Sequence, residues 1–122
     1  MLAPAMRSDS AGELQVLAKQ LLRLRHLQQK LLPVDASGPA WDLMLALFHA
    51  DGEQGPFSVG DLAARANVAR TTTVRWLRQL ELHGLASLAS DRHDKRLVRA
   101  AITDAGREAV GNVLAEAGIA VA

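Results

Sequence analysis

Between Ala11 and Leu32 the apolar positions keep the three-and-four spacing of one helix face. Leu14, Leu17, Leu21, Leu24 and Leu31 form the stripe, and Gln28 fills its one polar slot. Leu22 and Leu27 widen it, Lys19, Arg23, Arg25 and Lys30 occupy the remaining surface, and Pro33 closes the helix. A helix of about 20 residues is about 30 Å long and projects beyond a small core. Its stripe either packs on its own domain or meets the same stripe of a second subunit; the width of the stripe on so small a domain favours the second reading.

Ser37-Gly38-Pro39 opens a second helix, with Pro39 in the first turn. Trp41, Leu43, Met44, Leu45, Leu47 and Phe48 make it apolar over most of its circumference, as a central core helix requires. A loop from His49 to Pro56 follows. Its His49, Asp51 and Glu53 are metal-ligand types, but a solvated loop accounts for them better. Phe57 leads a short strand. Ser58 caps a brief third helix in a capping-box-like arrangement with Asp61, and Val59, Leu62, Ala63 and Ala66 face inward. Asn67, which tolerates left-handed backbone angles, makes the turn.

A fourth helix spans about Arg70 to His83. At 100° per residue, Thr73, Trp76, Leu77 and Leu80 share one side, while Thr71, Thr72, Arg75, Arg78 and Gln79 share the other. One face is core; the other is hydroxyls, guanidiniums and an amide. Gly84 ends the helix. Leu85–Ser90 and Leu97–Ile102 are short apolar runs joined by the charged tip Asp91-Arg-His-Asp-Lys-Arg96, which reads as a hairpin with a basic loop. Thr103 caps a last helix that runs to about Ala117.

Charge sharpens this picture. Arg65 to Arg99 contains eight Lys/Arg against Glu81, Asp91 and Asp94, a surplus of +5, so the rest of the 122-residue chain carries −4 to give the overall +1. Positive charge concentrated on one segment of a near-neutral chain points to a polyanionic partner. The length suits one domain with a modest core. The leucine- and alanine-rich, aromatic-poor composition favours helix packing. With no cysteine, thiolate metal sites, disulfides and thiol redox sensing are excluded. The start reads as a loose lead without a signal peptide, no apolar run suits a membrane span, and a cytoplasmic location is the default. Neither a phosphate-binding glycine loop nor a nucleophile beside a base is visible, so no enzyme and no cofactor is expected.

Four stretches resemble the MarR-type winged helix-turn-helix regulators over roughly Trp41 to Val110: SVGDLAARANVA, RTTTVRWLRQLELHGLA, DKRLVRAAIT and TDAGREA. The resemblance implies a mainly α fold with a small β-hairpin. Residues 1–10 would be a flexible lead and 11–36 a dimerisation helix and linker. Residues 37–103 would be the winged DNA-binding domain, and 104–122 a C-terminal helix. It further implies a homodimer on double-stranded DNA, a sequence-specific regulator and by family habit a repressor. Arg70, Thr71, Thr72, Arg75, Arg78 and Gln79 would lie at the major groove, although Arg70 could instead pair within the chain. Arg92, Lys95 and Arg96 would form the wing, one of them entering the minor groove. Asp94 matches the aspartate that pairs with a wing arginine and holds the loop, and Leu14, Leu17, Leu21, Leu24 and Leu31 would line the dimer interface.

Members of this family often bind small acidic or phenolic effectors, but no residue here identifies one. The chain departs from the pattern at Ala69, where a capping serine is usual, and at Thr73, where a core apolar residue is usual. It also ends soon after its last helix, which leaves the dimer geometry open. From a different class, a winged-helix module that binds protein instead of DNA is the alternative.

Overall fold

The computed structural model describes residues 8–32, 38–53 and 56–118, with side chains from residue 11 onward. The elements are α1 (Ser8–Leu31), α2 (Pro39–Asp51), β1 (Phe57–Ser58), α3 (Val59–Ala66), α4 (Arg70–Leu82), β2 (Ala86–Ser90), β3 (Val98–Ile102) and α5 (Asp104–Ala117). The strands form one antiparallel sheet in the order β1-β3-β2, with Phe57 opposite Ala100 and Leu88 opposite Ala100 on the other side. Among the described residues no helix is long and apolar enough to cross a membrane.

α2 is the hub, apolar around most of its circumference because α3, α4, α5 and β3 all touch it. Leu43 and Met44 are fully buried there, beside Leu62 of α3, Leu77 and Leu80 of α4, and Val110 and Val113 of α5. Gly106 sits where α5 crosses the start of the hairpin. A Cβ on it would come within 2.2 Å of the Leu85 carbonyl oxygen. The Thr103 hydroxyl accepts from the Gly106 amide at 3.0 Å and donates to the Gly84 carbonyl at 2.6 Å, so one side chain caps α5 and ties it to the end of α4.

Two boundaries differ from the sequence reading. α1 begins at Ser8, taking Ser8–Ser10 from the expected lead, while residues 1–7, Pro33 and Ser37 lie outside the described residues. α2 continues through Asp51, because Ala50 is buried and holds the last turn on the core. His49 and Asp51 are therefore helical.

α1 lies along α5. Gln20 Nε2 donates to the Gly118 carbonyl at 2.7 Å, and Arg23 Nε to that of Glu116 at 3.1 Å, which satisfies carbonyls that the end of α5 leaves without helical partners. The leucine stripe divides. Leu24 and Leu27 pack on the core, and Gln28 and Leu32 are buried, whereas Leu14, Leu17, Leu21 and Leu31 stay exposed. Leu24 thus serves its own domain first.

Candidate nucleic-acid interface

The turn between α3 and α4 is built from local chemistry. Ser58 Oγ accepts from the Asp61 amide at 3.1 Å and starts α3. Asn67, at φ 54° and ψ 48°, stops it in the left-handed conformation. Val68 N–H then closes on the Ala63 carbonyl at 3.0 Å. α4 begins at Arg70 with no side-chain cap at Ala69, and Gly84, at φ +73°, turns the chain into the hairpin.

α4 presents the two faces its sequence implies. Thr73, Leu77 and Leu80 are buried and Val74 and Trp76 are half-buried against the core. Thr71, Arg75, Arg78 and Gln79 are exposed, Thr72 is half-buried, and Arg70 is exposed beside Gly60. Among the described residues Arg70 has no acidic partner, so the intramolecular pairing considered for it is absent.

At the wing, two carboxylates organise the tip. Asp91 Oδ1 accepts from the amides of His93 (2.8 Å) and Asp94 (3.1 Å), while its Oδ2 accepts from Arg99 Nε at 2.6 Å. Asp94 takes the Arg96 amide and Nε on Oδ1, both at 3.0 Å, and Nη2 on Oδ2 at 3.1 Å. Asp94 thus pairs with Arg96 at the tip. Arg99 and then these two amides hold the Asp91 carboxyl below its ordinary pKa; Arg96, through its side chain and then its amide, does the same for Asp94. Arg96 keeps its side chain 90% exposed while Asp94 fixes its direction.

The cations of the basic segment fall into two groups. Arg65 belongs to the scaffold: its guanidinium contacts Glu53 (2.6 and 3.2 Å) and Asp61 (3.1 Å) and lies 5.0 Å from the centre of the Phe57 ring. Arg99 and Arg96 are pinned at the wing. Arg70, Arg75, Arg78, Arg92 and Lys95 have no ion pair among the described residues, and all five are exposed. The three loop residues weighed as metal ligands are engaged otherwise, His49 and Glu53 with Arg65 and Asp51 with Arg107. In the sequence Arg65 counted toward the charge surplus of the segment without being assigned to the DNA-binding residues; its spacing four residues after Asp61 is the local signal of its scaffold role.

Two hollows flank these elements. One of about 460 Å3 separates α4 from the hairpin, over Val74, Leu77, Leu88 and Val98. Another, of about 300 Å3, lies between α1 and α2 and is lined by Leu21, Leu24, Arg25, Gln28, Trp41 and Asp42.

The family model described as MarR family matches residues 52–98, from just after α2 through the helix-turn-helix and β2 to the first residue of β3. A curated relative, the uncharacterized HTH-type transcriptional regulator YdgJ of Bacillus subtilis (strain 168), is 33% identical over 69 residues. That alignment takes in 57% of this chain, which spans only 40% of YdgJ. Among solved structures, NadR in complex with 4-hydroxyphenylacetate superposes with a TM-score of 0.65 at 20% identity, over 96% of this chain and 78% of NadR. The S. aureus MepR–DNA complex gives a TM-score of 0.65 at 15% identity, over 84% of this chain and 82% of MepR. At those identities the likeness is one of fold.

Proposed function

From the match of residues 52–98 to the MarR family model and the shared winged helix-turn-helix fold, we propose that the chain is a MarR-type transcriptional regulator, a sequence-specific repressor that binds double-stranded DNA as a homodimer. α4 enters the major groove and the wing reaches the adjacent minor groove. The observation that carries this reading is the sorting of cations. Those that build the scaffold are paired, and five exposed ones with no ion pair among the described residues lie on α4 and the wing beside Thr71, Thr72 and Gln79.

Each residue type has a use there. Arginine neutralises phosphate, releasing a counterion, and forks to the O6 and N7 of guanine. Threonine donates to phosphate or base and packs its methyl on thymine. Arg96, extended and steered by Asp94, suits insertion into a narrow minor groove, whose negative potential attracts arginine. Arg92 and Lys95 add phosphate contacts. The exposed Leu14, Leu17, Leu21 and Leu31 support a second subunit on α1, since soluble proteins seldom leave such a strip bare. The proposal includes a cytoplasmic location, where a bacterial-type regulator meets its DNA.

An acidic or phenolic effector is part of the same proposal. The hollow between α1 and α2 offers Trp41, Leu21 and Leu24 for an aromatic body and Arg25 for a carboxylate. NadR, which shares the fold, was solved with 4-hydroxyphenylacetate. Quenching of tryptophan fluorescence by a panel of aromatic acids tests it.

The decisive experiment selects bound fragments from genomic DNA and titrates the best one by anisotropy at several salt concentrations. A discrete pseudo-palindromic site with a steep salt slope is expected. Non-selective binding with a steep slope would replace specific recognition by an architectural role, and weak, salt-insensitive binding would move the partner from DNA to protein.

A further inference from the structure

β2 lies at the open edge of the sheet, so one row of its backbone groups faces no strand. In that row the Leu88 amide donates to Glu81 Oε2 at 3.0 Å. Glu81 stands in the last turn of α4, across the 460 Å3 hollow from the hairpin. Among the described residues this is the one hydrogen bond that crosses from α4 to the two long strands. Val74, Leu77, Leu88 and Val98 give the hollow between them its apolar lining. Apolar contact is non-directional and tolerates sliding; a hydrogen bond from a backbone amide to a carboxylate is directional and charge-assisted.

Glu81 has a second available partner and does not use it. Arg78 lies three residues earlier, at the spacing of a helical ion pair, and lines the same hollow, yet no ion pair joins them. The carboxylate goes to the edge strand, and the Arg78 guanidinium is left for another ligand.

We infer that Glu81 is a positioning residue that ties the wing to the recognition helix and fixes the separation of the two groups reading DNA, the exposed face of α4 and Arg96 at the wing tip. The inference rests on the proposed DNA-binding function. A carboxylate on a surface that meets phosphate repels it, and the fixed wing is what offsets that cost.

The test compares Glu81→Ala with Glu81→Gln, whose side-chain oxygen still accepts from the Leu88 amide without the charge. In the free protein, Glu81→Ala should speed exchange of the Leu88 amide by roughly tenfold, the size of one lost charge-assisted hydrogen bond. It should also loosen the amides of residues 92–97 in 15N relaxation. Glu81→Gln should stay near wild type in both. On the selected DNA site, Glu81→Ala should lose minor-groove protection at the wing ahead of major-groove protection, and Glu81→Gln should keep both. Unchanged Leu88 exchange in Glu81→Ala overturns the inference. So does tighter DNA binding by both variants with the wing footprint intact, because the residue would then act through charge alone. If wild type selects no DNA site, the proposed function fails, while exchange and relaxation still decide whether Glu81 holds the wing.

Discussion

The Ala69 carbonyl oxygen accepts two hydrogen bonds from Thr73, one from its backbone N–H and one from its hydroxyl, each at 2.9 Å. This pairing accounts for one of the two departures from the family pattern, the hydroxyl at position 73, and leaves the other, the uncapped start of α4 at Ala69, as it is. Position 69 has no hydroxyl to cap α4, and position 73 has a hydroxyl where the core asks for none. Thr73 can be fully buried because its polar atom turns back one helical turn onto a carbonyl.

Restoring the cap should therefore stabilise the protein. Ala69→Ser places an acceptor at the free first-turn amides of α4 and should raise the unfolding free energy by about 1 kcal/mol in urea denaturation. Thr73→Val should change it by less than about 1 kcal/mol, since the Ala69 carbonyl keeps its backbone partner and no buried group is orphaned. A large loss in Thr73→Val would mean that the hydroxyl is the main anchor of that turn.

Gly106 should be intolerant. Its substitution by alanine drives a methyl into the Leu85 carbonyl and within 2.7 Å of Ile102 Cγ1. Neither is the free end of a flexible side chain, so α5 must shift, at about 1–3 kcal/mol. Gly111→Ala in the same helix meets nothing within 4 Å and should instead stabilise by up to about 1 kcal/mol. Thermal and urea midpoints of the two variants should move in opposite directions.

Much of this architecture is legible in the chain itself. The two faces of α4, the left-handed Asn67 and Gly84, and the caps Ser58 and Thr103 all follow from local rules that act within one helical turn. What was hidden depends on elements meeting in space. Nothing local tells that Glu53 folds back onto Arg65, removing one cation from the basic surface. The same holds for the α1 stripe, because periodicity marks a face without saying what covers it. Leu24 goes to the core while Leu17 and Leu21, one or two turns earlier, do not. Glu81 entered only as a charge to be subtracted, since its partner is a backbone amide and leaves no mark in the sequence.

The wing should be sensitive to acid and insensitive to base. Asp91 and Asp94 have folded-state pKa values held below the unfolded value of about 3.9, so their contribution is fully present above that pH and disappears as pH falls through the depressed values. Below about pH 4 the amide shifts of His93 and Asp94, bonded to the Asp91 carboxylate, and of Arg96, bonded to that of Asp94, should show an acid step. In Asp91→Asn, the acid step at His93 should vanish while that at Arg96 remains.

Cations on the binding face and in the scaffold should separate under mutation. Arg75→Ala removes a side chain with no intramolecular partner among the described residues, so folding should be unaffected. Affinity for the selected site should fall by about 1–3 kcal/mol if Arg75 reads a base; loss of a phosphate contact should flatten the salt slope by about 0.9. Arg65→Ala should do the reverse, lowering the thermal midpoint by freeing Glu53 and Asp61 and leaving the slope unchanged. Unchanged affinity together with an unchanged slope in Arg75→Ala would remove Arg75 from the interface.

The exposed part of α1 provides the test of assembly. Leu17 and Leu21 lie in the open half of the stripe, so a glutamate at both should cost the isolated domain little, while placing charge in the apolar contact that a second subunit would make. Sedimentation should convert from dimer to monomer. Leu24→Ala, on the packed half, should instead lower stability by about 2 kcal/mol. DNA binding then follows from geometry. A monomer presents one α4 and one wing, so it loses the second half-site and should bind a single half-site with a salt slope roughly halved. A monomeric variant that keeps the full slope on the whole site would show that two copies assemble on DNA without α1, and the interface would have to be sought elsewhere on the chain.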